Sequence, residues 1–312
     1  MKKLKIAILG SNSHIAKGLL SNFLKAQCGI LYLFTRSPEI VAEFLRGVED
    51  PGGNTLVKNG YNDFKKIDYD VIINCVGAGT PNKLKDNYSN WFTINEKFDN
   101  LVLDYLFSKP ETLYVNFSSG AVYGRDNSAP RTADTENRIT VNAIEPADYY
   151  SIVNLNSEAK HRSFKDLKIA DIRIFSYFSR FADLDSGYFI TELISHILQN
   201  RVLQTTDVNI VRDYIHPRDL FLLIMKCIEA GKINTVFDAV SAHTVDKMEI
   251  LEYFSKYYAL KYKVNGELDI AGPNGTNNIY CSAFNKAKTI GYIPKFSSMD
   301  TLKQEAKFIL AP

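Results

Sequence analysis

From Leu4 to Phe175 the chain alternates short, almost wholly apolar runs with longer stretches of helical spacing. The apolar runs are Leu4–Leu9, Ile30–Phe34, Val71–Val76, Leu113–Phe117 and Ile169–Phe175. The helical stretches are Ser13–Lys25, Tyr88–Phe107 and Ala147–Leu167. A strand that is apolar on both faces must be covered on both sides. The pattern therefore predicts an α/β fold with a parallel sheet between two helical layers.

After Phe175 the alternation breaks. Helices are expected at Tyr188–Asn200, Asp219–Ala230 and Met299–Leu310, with short strands at Val208–Ile210 and Val236–Ala239. The Gly- and Asn-rich stretch Lys263–Asn278 reads as loop. This divides the chain into a sheet domain at 1–175, with returns from about 205–240, and a smaller lobe at 176–204 and 241–312. With 312 residues, 46% of them hydrophobic, both parts can bury a core.

Charge excludes some partners. The 37 basic and 35 acidic residues leave a net charge of +2, which gives no basis for expecting nucleic acid or an anionic membrane. No apolar run is long enough to span a bilayer. The basic start, Met1-Lys2-Lys3-Leu4, leads into a short strand rather than a leader peptide. Cys28, Cys75, Cys227 and Cys281 lie far apart, without metal-ligand spacing. They are expected to be reduced thiols in a cytoplasmic protein that holds no metal.

The first strand runs into Gly10-Ser11-Asn12-Ser13-His14-Ile15-Ala16-Lys17-Gly18. A glycine turn that opens a helix aims backbone N–H groups and the helix dipole at an anion, and small residues let a diphosphate approach. Gly10, Ser13 and Ala16 are all small, a weakened form of the dinucleotide-binding spacing. The turn from Gly10 to Ile15 thus predicts a site for a nicotinamide dinucleotide. Behind strand two, an acidic residue would grip a ribose hydroxyl, but the chain has Arg36-Ser37. A guanidinium suits a 2′-phosphate, so NADP is expected, with NAD as the alternative.

Four segments together resemble the extended short-chain dehydrogenases/reductases, the NAD-dependent epimerase/dehydratases, most of which act on nucleotide sugars. They are the turn from Gly10, the run Asn116-Phe117-Ser118-Ser119-Gly120-Ala121-Val122-Tyr123-Gly124, the helix from Tyr150 through Glu158, and Arg212-Asp213-Tyr214-Ile215-His216. The resemblance implies a Rossmann-type doubly wound sheet with a smaller C-terminal substrate lobe. It implies Ser119 as the hydroxyl on the reacting oxygen and Tyr150 as the proton-exchanging phenol. It implies cofactor contacts at Val76, Gly77, Asn95, Phe117 and Phe175, and substrate contacts at Ser119, Tyr123 and Arg212. Arg212-Asp213 fits equally well an ion pair between lobes. His216 is expected to satisfy a core hydrogen bond. The helices from Tyr88 and Tyr150 would face a second subunit in a homodimer. Tyr88, Trp91, Phe92 and Phe98 fit a helix apolar on more than one side, which core packing alone also explains.

The chain departs from that pattern at three places. The family's lysine, one turn after the tyrosine, is Asn154, which has no charge to lower the phenol. Natural loss of catalysis, an engineered block and a cation supplied from elsewhere all fit this replacement. Lys160 and His161, further along the helix, are expected at its exposed surface. The acidic pair of the dehydratases is replaced by Gly120 and Ala121, which disfavours dehydration. The second arginine of the C-terminal lobe is missing from Gly272-Pro273-Asn274-Gly275-Thr276. The expected function is a nucleotide-sugar reductase or epimerase, implied to serve surface-polysaccharide assembly. The other class is a sensor or scaffold that binds dinucleotide without catalysis, and Asn154 is the residue that separates the two.

Overall fold

A computed structural model describes residues 3–48, 50, 53–77, 87–266 and 278–311. In chain order the elements of the sheet domain are β1 (Leu4–Leu9), α1 (His14–Ala26), β2 (Gly29–Thr35), α2 (Pro38–Arg46), β3 (Thr55–Asn59), β4 (Val71–Asn74), α3 (Ser89–Ser108), β5 (Leu113–Ser119), α4 (Pro146–Ser163) and β6 (Ile169–Ile174). There follow β7 (Ser176–Tyr177), α5 (Phe189–Leu198), β8 (Val202–Thr205), β9 (Val211–Arg212), β10 (Tyr214–Ile215), α6 (Pro217–Ala230) and β11 (Asn234–Ala239). The chain closes with β12 (Val245–Asp246), α7 (Lys247–Tyr258), β13 (Lys261–Val264), β14 (Ile279–Tyr280) and α8 (Ser298–Leu310).

The central sheet runs β11-β6-β5-β4-β1-β2-β3, with every pairing parallel. The two-residue period of β1 explains its two-sided cover. Ile6 and Ile8 pack in one cluster with Leu19, Leu20 and Phe23 of α1 and Leu220, Leu223 and Ile224 of α6. Ala7 and Leu9 pack in the other, with Val102, Leu103 and Leu106 of α3. This is a Rossmann-type doubly wound sheet. Strand order reverses between β1 and β4, and a crevice at the carboxyl ends of their strands is where such sheets take ligands.

A separate core forms from Phe178, Leu193 and Ile194 around α5, Ile250, Leu251 and Phe254 of α7, and Leu302 and Ala306 of α8. The strand expected at Val208–Ile210 is absent. The chain instead pairs at Val202–Thr205, against β13, and at Val211–Arg212, against β12 and β14. Partners remote in sequence, not local apolar pattern, decide these short strands. Of the expected loop Lys263–Asn278, Lys263 and Val264 end β13, while 267–277, including Gly272–Thr276, lie outside the described residues. Among the described residues no helix is long and apolar enough to cross a membrane.

Candidate active site

At the carboxyl ends of the central strands a cleft of about 1320 Å³ runs between sheet and smaller lobe. Its first wall is the turn after β1. Gly10 adopts φ +69°, and a Cβ there would lie 2.9 Å from the Cys75 carbonyl oxygen. Only glycine meets both demands. Ser13 caps α1, its hydroxyl accepting from Ala16 N at 3.3 Å, and Asn12, Ser13, His14 and Ile15 line the cleft with Lys17. The first turn of α1 holds no acidic residue, so its dipole is open to an anion. Burial pushes His14 down to about 4, so the ring is neutral, edge-on to Tyr177 with centroids 4.8 Å apart. Arg36 is exposed and lines the same cleft.

Val76, Gly77, Asn95, Phe117 and Phe175 also line it. Gly10, Ser11 and Ser37 do not. The N–H groups of Gly10 and Ser11 both donate to Phe34 O, at 3.0 and 3.1 Å, and shape the turn from behind. Ser37 turns back instead, its N–H donating to Thr35 Oγ1 at 3.0 Å ahead of α2.

Ser119 ends β5, and α4 carries Tyr150 and Asn154 along the opposite wall. Glu145 and Asp148 form a reciprocal cap and Pro146 stands in the first turn, so the start of α4 is well determined. The Tyr150 ring packs 5.3 Å from Trp91 of α3. As a residue Tyr150 is 40% exposed, but its hydroxyl end is enclosed. That enclosure raises the phenol, opposed by the nearby Ser119 and Asn154 side chains. Tyr150 is therefore protonated at neutral pH. Asn154 is buried and donates its amide to Tyr150 O at 2.7 Å, which keeps it on its own helix. Ser119 Oγ accepts from Ala121 N at 3.1 Å and lies 3.2 Å from the hydroxyl of Tyr280, a residue of β14.

Behind α4 the charges are not where the sequence suggested. His161 is fully buried, with Nε2 2.7 Å from Asp99 and Nδ1 2.9 Å from Asp171. Burial lowers it, but the two carboxylates win and raise it to about 9. Lys160 turns in to pair with Asp99 at 2.5 Å. The expectation that both face solvent is thus corrected, because Asp99 and Asp171 draw them in. A cavity of about 20 Å³, room for one water, lies between this network and Asn154, lined also by Asn74, Asn95 and Asn116.

Tyr123, expected at the substrate, lies away from the cleft. Its hydroxyl donates to Asp238 at 2.9 Å and accepts from Arg173 at 2.8 Å. Arg212 does line the cleft, and its guanidinium sits 6.0 Å from the Tyr280 ring. Asp213 instead accepts from Ser241 N at 2.8 Å. His216 caps α6, accepting from Arg218 N at 3.1 Å, and stacks on Phe296. A Cβ on Gly120 would meet the Phe175 ring at 2.5 Å, so that position has no room for an acidic side chain. The aromatics of α3 make contacts within the chain. Phe98 is in the core, Trp91 lines the cleft, and Tyr88 and Phe92 pack on Tyr149.

Residues 10–239 match the family model described as the NAD dependent epimerase/dehydratase family. Among solved structures, a mutant UDP-glucuronic acid 4-epimerase from Bacillus cereus, in complex with UDP-4-deoxy-4-fluoro-glucuronic acid and NAD, superposes with a TM-score of 0.80. It is 18% identical over 98% of this chain and 99% of that one. A UDP-N-acetylglucosamine 4-epimerase from Methanobrevibacter ruminantium M1 gives a TM-score of 0.81 at 18% identity, over 100% and 99% of the two chains. A dTDP-glucose 4,6-dehydratase from Bacillus anthracis str. Ames gives 0.75 at 16% identity, over 98% and 96%. At these identities the likeness concerns the fold. Comparison with curated proteins finds no match.

Proposed function

The chain belongs to the NAD dependent epimerase/dehydratase family, and on that premise we propose that it is a nucleotide-sugar reductase or epimerase using a nicotinamide dinucleotide. One observation carries the reading: the Ser119 and Tyr150 hydroxyls line the same cleft as the open N-terminus of α1. The turn fits a dinucleotide, since Gly10 lets it pass close against the Cys75 backbone and α1 then opens on the cleft with no acidic residue in its first turn. When bound, that group exchanges hydride with a sugar carbon. Ser119 holds the reacting oxygen by its hydroxyl. Tyr150, protonated at neutral pH, gives its proton to that oxygen as charge develops there. A protonated phenol has a proton to give and cannot take one up, which favours carbonyl reduction over alcohol oxidation.

Arg36 at the cleft supports NADP, while the NAD named with the similar structures supports the alternative. Arg212 supports a substrate that carries phosphate. Exposed Val141, Ile144 and Leu155, on and before α4, leave apolar surface for a second copy in a homodimer. Sedimentation velocity at micromolar concentration tests this, and a monomer alone refutes it.

The activity test follows NADPH oxidation, and epimerisation by NMR, over a panel of nucleotide 4-keto sugars and nucleotide hexoses. Turnover that Tyr150→Phe abolishes supports the reading. The second reading is a dinucleotide-binding sensor, favoured by the Asn154 amide being committed to Tyr150 O. Tight NADPH binding without turnover of any panel member supports it.

A further inference from the structure

A serine hydroxyl accepts two hydrogen bonds and donates one. One acceptor site of Ser119 Oγ is filled by Ala121 N–H at 3.1 Å. Two phenols are in reach: that of Tyr280, at 3.2 Å, contributed by a segment 161 residues further along the chain, and that of Tyr150 on the cleft. Both residues are buried, and both line the cleft. Among the described residues Ser119 is the one hydrogen-bond partner of the Tyr280 hydroxyl. Burial raises that phenol further from ionisation, so it keeps its proton to donate. The ring is fixed by Phe175, 5.2 Å away between centroids. If Tyr280 accepted from Ser119, the Ser119 proton would be spent on it, and the Tyr280 proton would have no partner among the described residues. If it donates, both acceptor sites of Ser119 Oγ are filled, and the Ser119 proton points into the cleft, towards Tyr150 or a substrate oxygen.

We propose that Tyr280 is a positioning residue that donates to Ser119 and so fixes Ser119 as the hydrogen-bond donor to the substrate oxygen. The inference rests on the reading that Ser119 faces a sugar oxygen. It gives the C-terminal segment a part in the chemistry beyond covering the cleft.

A double-mutant cycle on the full chain with NADP or NAD bound tests it. Wild type, Tyr280→Phe, Ser119→Ala and the double variant are titrated with UDP-glucose and with UDP, and assayed on the panel sugar that wild type converts. Tyr280→Phe is expected to lower kcat about ten-fold, a donor disoriented rather than removed, with UDP affinity unchanged. It is expected to cost nothing more in the Ser119→Ala background. Additive losses, or an unchanged kcat, overturn the inference and leave the sugar-site reading standing. Wild type that converts no panel sugar and binds UDP-glucose no better than UDP overturns both. Tyr280→His, which keeps a ring donor, gives a second arm. Partial recovery relative to Tyr280→Phe supports the donor role, and equality of the two opposes it.

Discussion

The Asn154 amide donates to the main-chain carbonyl of Tyr150 at 2.7 Å, one turn back on α4. A lysine at that position would carry an ammonium on a four-carbon stem, long enough to leave the helix surface and charge the cleft. The shorter amide closes on its own backbone instead. The consequence is electrostatic, because the phenol keeps the upward shift that enclosure imposes.

The first prediction concerns packing behind the turn. A Cβ on Gly18 would stand 2.0 Å from the hydroxyl oxygen of Tyr177 and 3.3 Å from its ring carbon. Alanine gains up to about 1 kcal/mol of helix propensity over glycine, but overpacking a core costs roughly 1–3 kcal/mol. Gly18→Ala should therefore destabilise in urea titration. Tyr177→Phe in the same chain should recover most of the loss, since the remaining approach is close to an ordinary contact. Independent, additive effects would show that the ring simply swings aside.

Stability should peak near pH 6.5–7 and fall on both sides. His161, raised from 6.5 to about 9, contributes fully below 6.5 and loses its contribution as pH climbs through 9. His14 and His216, lowered from 6.5 to about 4 by burial, refuse protons that the unfolded chain accepts. Stability is therefore lost as pH falls from 6.5 towards 4. Asp213, raised from 3.8 to about 6 by burial, opposes them over that acid range. Melting curves from pH 5 to 9.5 check the shape. His161→Gln should lower Tm at pH 6.5 and flatten the alkaline limb, and an unchanged limb would mean that the network is neutral.

The strands of the central sheet were legible because burial on both faces leaves little room for polar residues, as in Val71–Asn74. Edge strand β3 was not, since Thr55–Asn59 is largely half-exposed and lacks that signature. Helix α7 was legible and missed: Asp246 and Glu249 form a capping box ahead of an apolar face. The turn could be read from its own spacing, and the place of Ser119, Tyr150 and Arg212 on the cleft from the family resemblance. Tyr280 could not, because no local pattern links it to Ser119. His161 misled for the same reason: its partner Asp99 stands 62 residues away, on another helix.

Cofactor choice should follow Arg36. A charge-assisted bond to a 2′-phosphate is worth about 1.5–3 kcal/mol, so Arg36→Ala should weaken NADPH at least about ten-fold and leave NADH nearly unchanged. Calorimetric titration of both cofactors decides it. Tighter NADH binding by wild type, or equal losses for the two cofactors, would refute the NADP assignment.

The last prediction returns to Asn154. In Asn154→Lys an ammonium enters beside the cleft, one turn from Tyr150, and stabilises the phenolate. The Tyr150 pKa should drop from its raised position towards or below the free value of about 10. Positioned proton transfer contributes ~10²–10⁴-fold, so regaining part of it should raise turnover at least about ten-fold. The pH profile supplies the sign. With the phenol raised, wild-type reduction should stay flat through neutral pH, and alcohol oxidation should climb with every step towards alkaline pH. In the variant the oxidation limb should shift towards neutral pH. Adding Tyr150→Phe should remove both the gain and the limb. The new ammonium also meets the pocket beside Asp99, which is already paired with Lys160 and His161, so a modest fall in Tm should accompany the gain. If wild type proves at least twice as active as Asn154→Lys, the proton travels by another route, and Tyr150 is not its donor.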